Sequence, residues 1–250
     1  YSNQSFGNSG VCPLGKFFLA INYARMARLR PVTGYKDSYD WTEGLAAPKH
    51  DGIAIIDIKT GEKKILISFE QMAKGLKMKG FDVKGRNLFI NHTLWSRDGQ
   101  WIYFFIRAGW KSDKDGREVL NAACSIKVDG NQFVPGHQHI GGHPEWAGGT
   151  EIIGSYNNQQ VVYDILLKKV IGTLGNIDIF PKPEGDICLS PNKNWLINGY
   201  NNKLGSNFYT ILNLKSGEWV KTPSFNTGIY KKDLRIDPAP RWNHENNQIL

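Results

Sequence analysis

Trp95-Ser96-Arg97-Asp98-Gly99-Gln100-Trp101-Ile102-Tyr103 reads as the end of one strand, a polar turn and the start of the next. The Asp-Gly pair supplies the turn chemistry, and the aromatic and apolar residues on either side suit half-buried strands. Four other stretches follow the same plan: Val11-Cys12-Pro13-Leu14-Gly15-Lys16-Phe17-Phe18-Leu19, Trp146-Ala147-Gly148-Gly149-Thr150-Glu151-Ile152-Ile153, Leu189-Ser190-Pro191-Asn192-Lys193-Asn194-Trp195-Leu196-Ile197, and Trp242-Asn243-His244-Glu245-Asn246-Asn247-Gln248-Ile249-Leu250. They start at 11, 95, 146, 189 and 242, so the steps are 84, 51, 43 and 53 residues. Apart from the first step, which carries an insertion, these are the periods of a β-propeller blade.

Between the copies lies a second recurring unit. Gly52–Ile58 and Lys64–Ile67 flank Lys59-Thr60-Gly61-Glu62 as a strand, turn and strand, and equivalents occur at 125–130, 161–170 and 209–219. Each repeat thus supplies an inner and an outer pair, which makes one blade of four antiparallel strands. The expectation is an all-β chain: one propeller domain over 1–250, with about four blades and a partial fifth. It would be part of a longer parent of seven blades, because half a blade leaves unpaired strand edges. Phe69 to Met78 alone has helical spacing, and Tyr23 to Asp51 reads as a polar loop.

The 250 residues carry a net charge of +8, with 31 Lys and Arg against 23 Asp and Glu. A basic surface favours anionic partners. The lysines are scattered and no nucleic-acid motif accompanies them, so nucleic acid is not expected. No apolar run reaches the length of a membrane span. Cys12, Cys124 and Cys188 are odd in number and lack metal-type spacing; buried small hydrophobes are expected rather than a disulfide framework.

In a propeller the first strand of each blade lines the central channel. Three residues before each repeat start stand Asn8, His92, His143, Asp186 and Ala239. His92, His143 and Asp186 are expected to converge at one channel mouth. Two imidazoles and a carboxylate suit a divalent metal ion, a general base with its partners, or a polar plug. His137 and His139 lie in the approach to His143, whereas His50 and His244 read as solvated. A second cluster runs from Asn22 to Tyr35, with Arg25, Arg28, Arg30, Tyr23 and Tyr35. Guanidinium forks bind carboxylate or sulfate, so these residues are either anion contacts or a salt-bridged surface excursion. Asp233, Arg235 and Arg241 extend similar chemistry to the far end of the chain.

Trp95-Ser96-Arg97-Asp98-Gly99 and Leu189-Ser190-Pro191-Asn192-Lys193 resemble the repeat of TolB-like propellers. Together with Asn91-His92, Gly142-His143-Pro144 and Asp237-Pro238-Ala239-Pro240-Arg241-Trp242, the pattern resembles oligogalacturonate-lyase-like and ulvan-lyase-like propellers. That resemblance implies a lyase that cleaves a uronate-containing oligo- or polysaccharide by β-elimination, in the periplasm or outside the cell. It implies His92 and His143 as catalytic or metal-binding residues. Arg25, Arg28, Arg30, Tyr35, His139 and Arg241 become the expected substrate contacts. Where the pattern would place further histidines, this chain has Asp186, which can still ligate a metal, and Ala239, which cannot. A glycoside hydrolase, with Glu145 and Asp186 as its carboxylate pair, and a non-catalytic glycan- or protein-binding propeller are the alternatives.

Overall fold

The computed structural model describes residues 6–31, 33–110, 113, 115–202, 205–228, 230 and 236–250. It divides into two compact units, residues 1–139 and 140–250. In the first unit β1 (Phe6–Val11), β2 (Phe17–Asn22), β3 (Gly52–Asp57) and β4 (Lys63–Ser68) form a four-stranded antiparallel meander, with α1 (Tyr23–Leu29) following β2 and α2 (Phe69–Met78) following β4. A second meander contains β5 (Phe89–Trp95), β6 (Trp101–Ala108), β7 (Leu120–Lys127) and β8 (Phe133–His137).

The second unit repeats the plan. The strands β9 (Gly141–Gly148), β10 (Glu151–Tyr156), β11 (Gln159–Asp164) and β12 (Lys169–Leu174) make one meander. The next consists of β13 (Asp186–Leu189), β14 (Trp195–Asn201), β15 (Ser206–Asn213) and β16 (Trp219–Lys221), and β17 (Phe225–Asn226) shares the outer edge of β15. The two meanders join through a parallel pairing of β9 with β13. Trp242 and Ile249 form an isolated antiparallel bridge where the fifth copy of the repeat begins.

The repeated turn works by local hydrogen bonding. The Ser96 hydroxyl donates to Asp98 Oδ1 at 2.6 Å and accepts from the Trp101 amide at 2.8 Å. Ser190 does the same with Asn192 Oδ1 at 2.8 Å and the Trp195 amide at 3.0 Å. The tryptophans that open the copies link neighbouring repeats. Trp95 Nε1–H donates to the Gly10 carbonyl at 3.0 Å, and Trp242 Nε1–H donates to the Cys188 carbonyl at 3.2 Å. In both cases the acceptor immediately precedes the start of the preceding repeat, so one residue type serves both packing and register.

The core of the first unit lies between its sheets. Leu19, Ile21, Ile53 and Ile55 pack with Phe89, Ile102, Phe104 and Ile106, and Met72 and Leu76 of α2 join them. Ser68 caps α2 in a reciprocal capping box with Gln71, which satisfies two backbone donors that the helix itself leaves open. The stretch expected to be a polar loop contains α1 instead. Its N-cap Asn22 accepts from the Arg25 amide at 2.9 Å, and Met26 and Leu29 are buried in the core. Seven residues are too few for periodicity to reveal a helix that tertiary packing stabilises. In the second unit Ile153, Phe180, Ile187, Leu189, Leu196 and Leu212 form the core. All three cysteines are free and buried.

Candidate active site

The site in the second unit is built on the inner strands β9 and β13. Their parallel pairing sets His143 opposite Asp186, so the equivalence read from the repeats becomes a contact. His143 Nδ1 and Asp186 Oδ1 are 2.5 Å apart, with the imidazole 57% exposed and the carboxylate 13% exposed. Donation from Nδ1 fixes the tautomer in which Nε2 carries the lone pair whenever the ring is neutral. The hydrogen bond to Asp186 raises the His143 pKa above its usual value. Burial opposes the shift, the charges of Asp186 and Asp237 reinforce it, and Arg241 opposes it.

Two glycines allow this geometry. Gly142 has φ +73°, and a Cβ there would lie 2.7 Å from the Glu184 carbonyl oxygen. Gly199 pairs with Asp186 across β13 and β14, and a Cβ on it would overlap the Pro238 carbonyl. Segments 182–185 and 237–240 therefore approach the strand ends closely. They enclose a cavity of about 360 Å³ lined by His143, Lys182, Glu184, Gly185, Asp186, Gly199, Tyr200, Asn201, Asp237 and Pro238. The Tyr200 ring stacks on Phe208 with centroids 5.5 Å apart, and the Lys221 ammonium lies over both rings. Lys182 and Tyr200 carry no motif; strand-end and loop residues converge here only after folding. Arg241 hydrogen-bonds the Pro240 carbonyl at 2.7 Å and acts on His143 through its charge.

His92, His139, Tyr35, Arg25, Arg28 and Arg30 lie in the first unit. His92 is exposed and sits at a bulge of β5 with φ +58°, an uncommon conformation for a residue other than glycine. Its ring meets Phe105 edge-on at 6.2 Å, and exposed His139 meets the same ring at 5.6 Å. His139 is held below the usual histidine range by burial and by the charge of Arg107. His137 is buried, bonded to Ser125 Oγ at 3.2 Å, and burial pushes it down to about 4. Tyr35 stacks on Tyr23 with centroids 5.0 Å apart and is exposed. Asp233 and Arg235 lie outside the described residues.

Arg25 is not a surface contact. It is 1% exposed and donates to the Leu88 carbonyl at 2.6 Å, to Thr42 Oγ1 at 2.9 Å and to the Ala46 carbonyl at 2.7 Å. Its guanidinium clamps the 42–46 segment to the core and has no face for a ligand. Arg28 is engaged with Asp40, at 2.8 Å. Asp40 also accepts from Thr42, and with Asp51 it shares the Asn22 amide, which makes a polar knot under the loop. Arg30 lies over the Trp110 ring at 5.0 Å.

No three His, Cys, Asp or Glu side chains among the described residues are grouped to hold a metal ion. Of the expected metal ligands, His143 and Asp186 come together within the second unit, and His92 belongs to the first.

No protein-family profile matches the chain, and no curated protein matches it in sequence. Similarity appears in solved structures. TolB from Acinetobacter baumannii matches with a TM-score of 0.52 at 12% identity, over 98% of this chain and 48% of that one. An oligogalacturonate lyase in complex with manganese matches with a TM-score of 0.53 at 12% identity, over 94% of this chain and 58% of that one. The likeness is one of fold, that of a β-propeller. The chain spans about half the length of these structures. Among the described residues no helix is long and apolar enough to cross a membrane.

Proposed function

We propose that the protein is a lyase that cleaves a uronate-containing oligo- or polysaccharide by β-elimination, with His143 as the general base. The observation that carries this reading is the 2.5 Å contact from His143 Nδ1 to Asp186 at a cavity of about 360 Å³. Asp186 orients the imidazole and makes it a stronger base, as a carboxylate does for the histidine of a catalytic dyad. In the reaction Nε2 takes the proton α to the uronate carboxylate, at C5. The electron pair forms the C4–C5 double bond, and the C4 oxygen leaves and takes up a proton. Lys182 and Arg241 supply the positive charge that makes the C5 proton more acidic. The substrate class is that of the oligogalacturonate lyase with which the chain shares its fold. No step is routed through a metal ion, because no three His, Cys, Asp or Glu side chains among the described residues are grouped to hold one.

One observation favours a second reading. Three carboxylates, Glu184, Asp186 and Asp237, line the cavity against a single lysine, which suits a hydrolase of less acidic glycans. Mass analysis of digests of pectate, alginate, ulvan and neutral glycans separates the readings. Elimination gives a new non-reducing end lighter by one water than the hydrolytic product. Hydrolysis alone would overturn the lyase assignment. Saturable binding without cleavage would make the propeller a glycan-binding module.

A further inference from the structure

The first unit carries a second group of cations, formed by residues far apart in sequence. Arg30, at the end of α1, lies 5.0 Å from the Trp110 ring centroid. Arg107, on β6, lies 4.9 Å from the same centroid and 5.2 Å from that of Phe105. Phe105 in turn meets exposed His139. Two guanidinium groups therefore share one indole, and Arg107 is only 9% exposed.

Buried charge is normally compensated by an opposite charge. Arg107 donates Nε–H to Asn121 Oδ1 at 2.8 Å, a neutral acceptor, and among the described residues neither arginine makes a salt bridge. Trp110 Nε1–H is buried and meets no acceptor among the described residues. Burial first, and repulsion from Arg30 second, lower Arg107 to about 10, which still leaves it charged at neutral pH. The group is thus rich in donors and positive charge and poor in acceptors. Cation–π contact offsets part of the cost of bringing the two charges together but supplies no hydrogen-bond acceptor.

We propose that Arg30 and Arg107, gathered on Trp110, form an oxyanion site that takes a doubly charged sulfate- or phosphate-type group. Guanidinium forks match the oxygen spacing of such groups, and two of them balance a dianion. His139 stands beside the site as a further donor. The assignment is independent of the reaction proposed at His143, because binding is read without turnover.

The test is calorimetric titration of the full chain with sodium sulfate and with sodium phosphate, at ionic strength held constant with sodium chloride. Saturable one-site binding is expected, weakened roughly tenfold or more by Arg30→Gln and by Arg107→Gln, the loss of a charge-assisted contact. Lys77→Gln, far along the sequence on α2, is expected to leave it unchanged. If Arg107→Gln does not fold, Arg30→Gln decides, and the Trp110 indole resonance supplies a second readout by shifting on titration in the wild type alone. Tighter binding of sulfate than phosphate, or the reverse, identifies the source of the group. Absence of saturable binding, equal binding by the Arg30→Gln protein, or tighter binding of sodium galacturonate than of either dianion would overturn the proposal.

Discussion

Replacing Arg25 by Ala separates a structural arginine from a substrate-binding one. The change removes three charge-assisted hydrogen bonds of 2.6 to 2.9 Å, to Leu88, Thr42 and Ala46. Such bonds contribute about 1.5–3 kcal/mol each when measured singly, and their effects overlap when one side chain makes all three. The change also withdraws a cation from Asp51, whose pKa burial already raises and Arg25 holds down. Breaking a buried charged group away from its partners costs about 3–5 kcal/mol, so a loss of about 4 kcal/mol is expected. That is a large share of the roughly 5–15 kcal/mol that stabilises a typical domain. Arg25→Lys keeps the charge but not the fork, and an intermediate loss of about 2 kcal/mol is expected. Urea unfolding followed by tryptophan fluorescence and circular dichroism together measures both variants. A fully stable Arg25→Ala protein that had lost glycan turnover would refute the structural role.

Three further outcomes follow from the same geometry. The His143 titration, read by NMR, is expected above the usual histidine value and to move down in Asp186→Asn; an unmoved midpoint would deny the coupling. Because its folded pKa is raised, His143 contributes stability below the unfolded value of about 6.5 that is lost as pH rises through the folded pKa. His137 has the opposite sign: with a folded pKa of about 4, stability is present above about 6.5 and falls by about 3 kcal/mol on acidification to that point. His137→Gln is expected to flatten that part of the stability–pH curve. Gly199→Ala is expected to push the Pro238 segment off the strand end, weakening glycan binding more than it lowers the melting temperature. A large loss of melting temperature with unchanged binding would show that the segment does not shape the cavity.

What could be read from the chain was what local chemistry decides. The turn at 96–100 is closed by Ser96 and Asp98 within five residues, and the same logic recurs at 190–194, so the repeat and its antiparallel pairs were visible. Aligning the repeats also placed His143 and Asp186 at equivalent positions, and the pairing of β9 with β13 makes them neighbours. Long-range destinations were not visible. Arg25 looked like its neighbours Arg28 and Arg30, yet its guanidinium reaches a carbonyl 63 residues away. Lys182 and Tyr200 belong to no pattern and meet only at the cavity. Arg107 sits in an apolar strand, where nothing in the sequence indicates that it shares Trp110 with Arg30.

In the proposed reaction His143, oriented by Asp186, takes a proton from a uronate ring. The most direct test of that step is the ultraviolet absorbance of the unsaturated uronate during incubation with pectate, for wild-type protein and for His143→Gln. A steady rise with the wild type, abolished in a folded His143→Gln protein and reduced roughly 100-fold or more in Asp186→Asn, is the predicted result for loss of a general base and of the group that orients it. An undiminished rise in the folded His143→Gln protein would contradict the account.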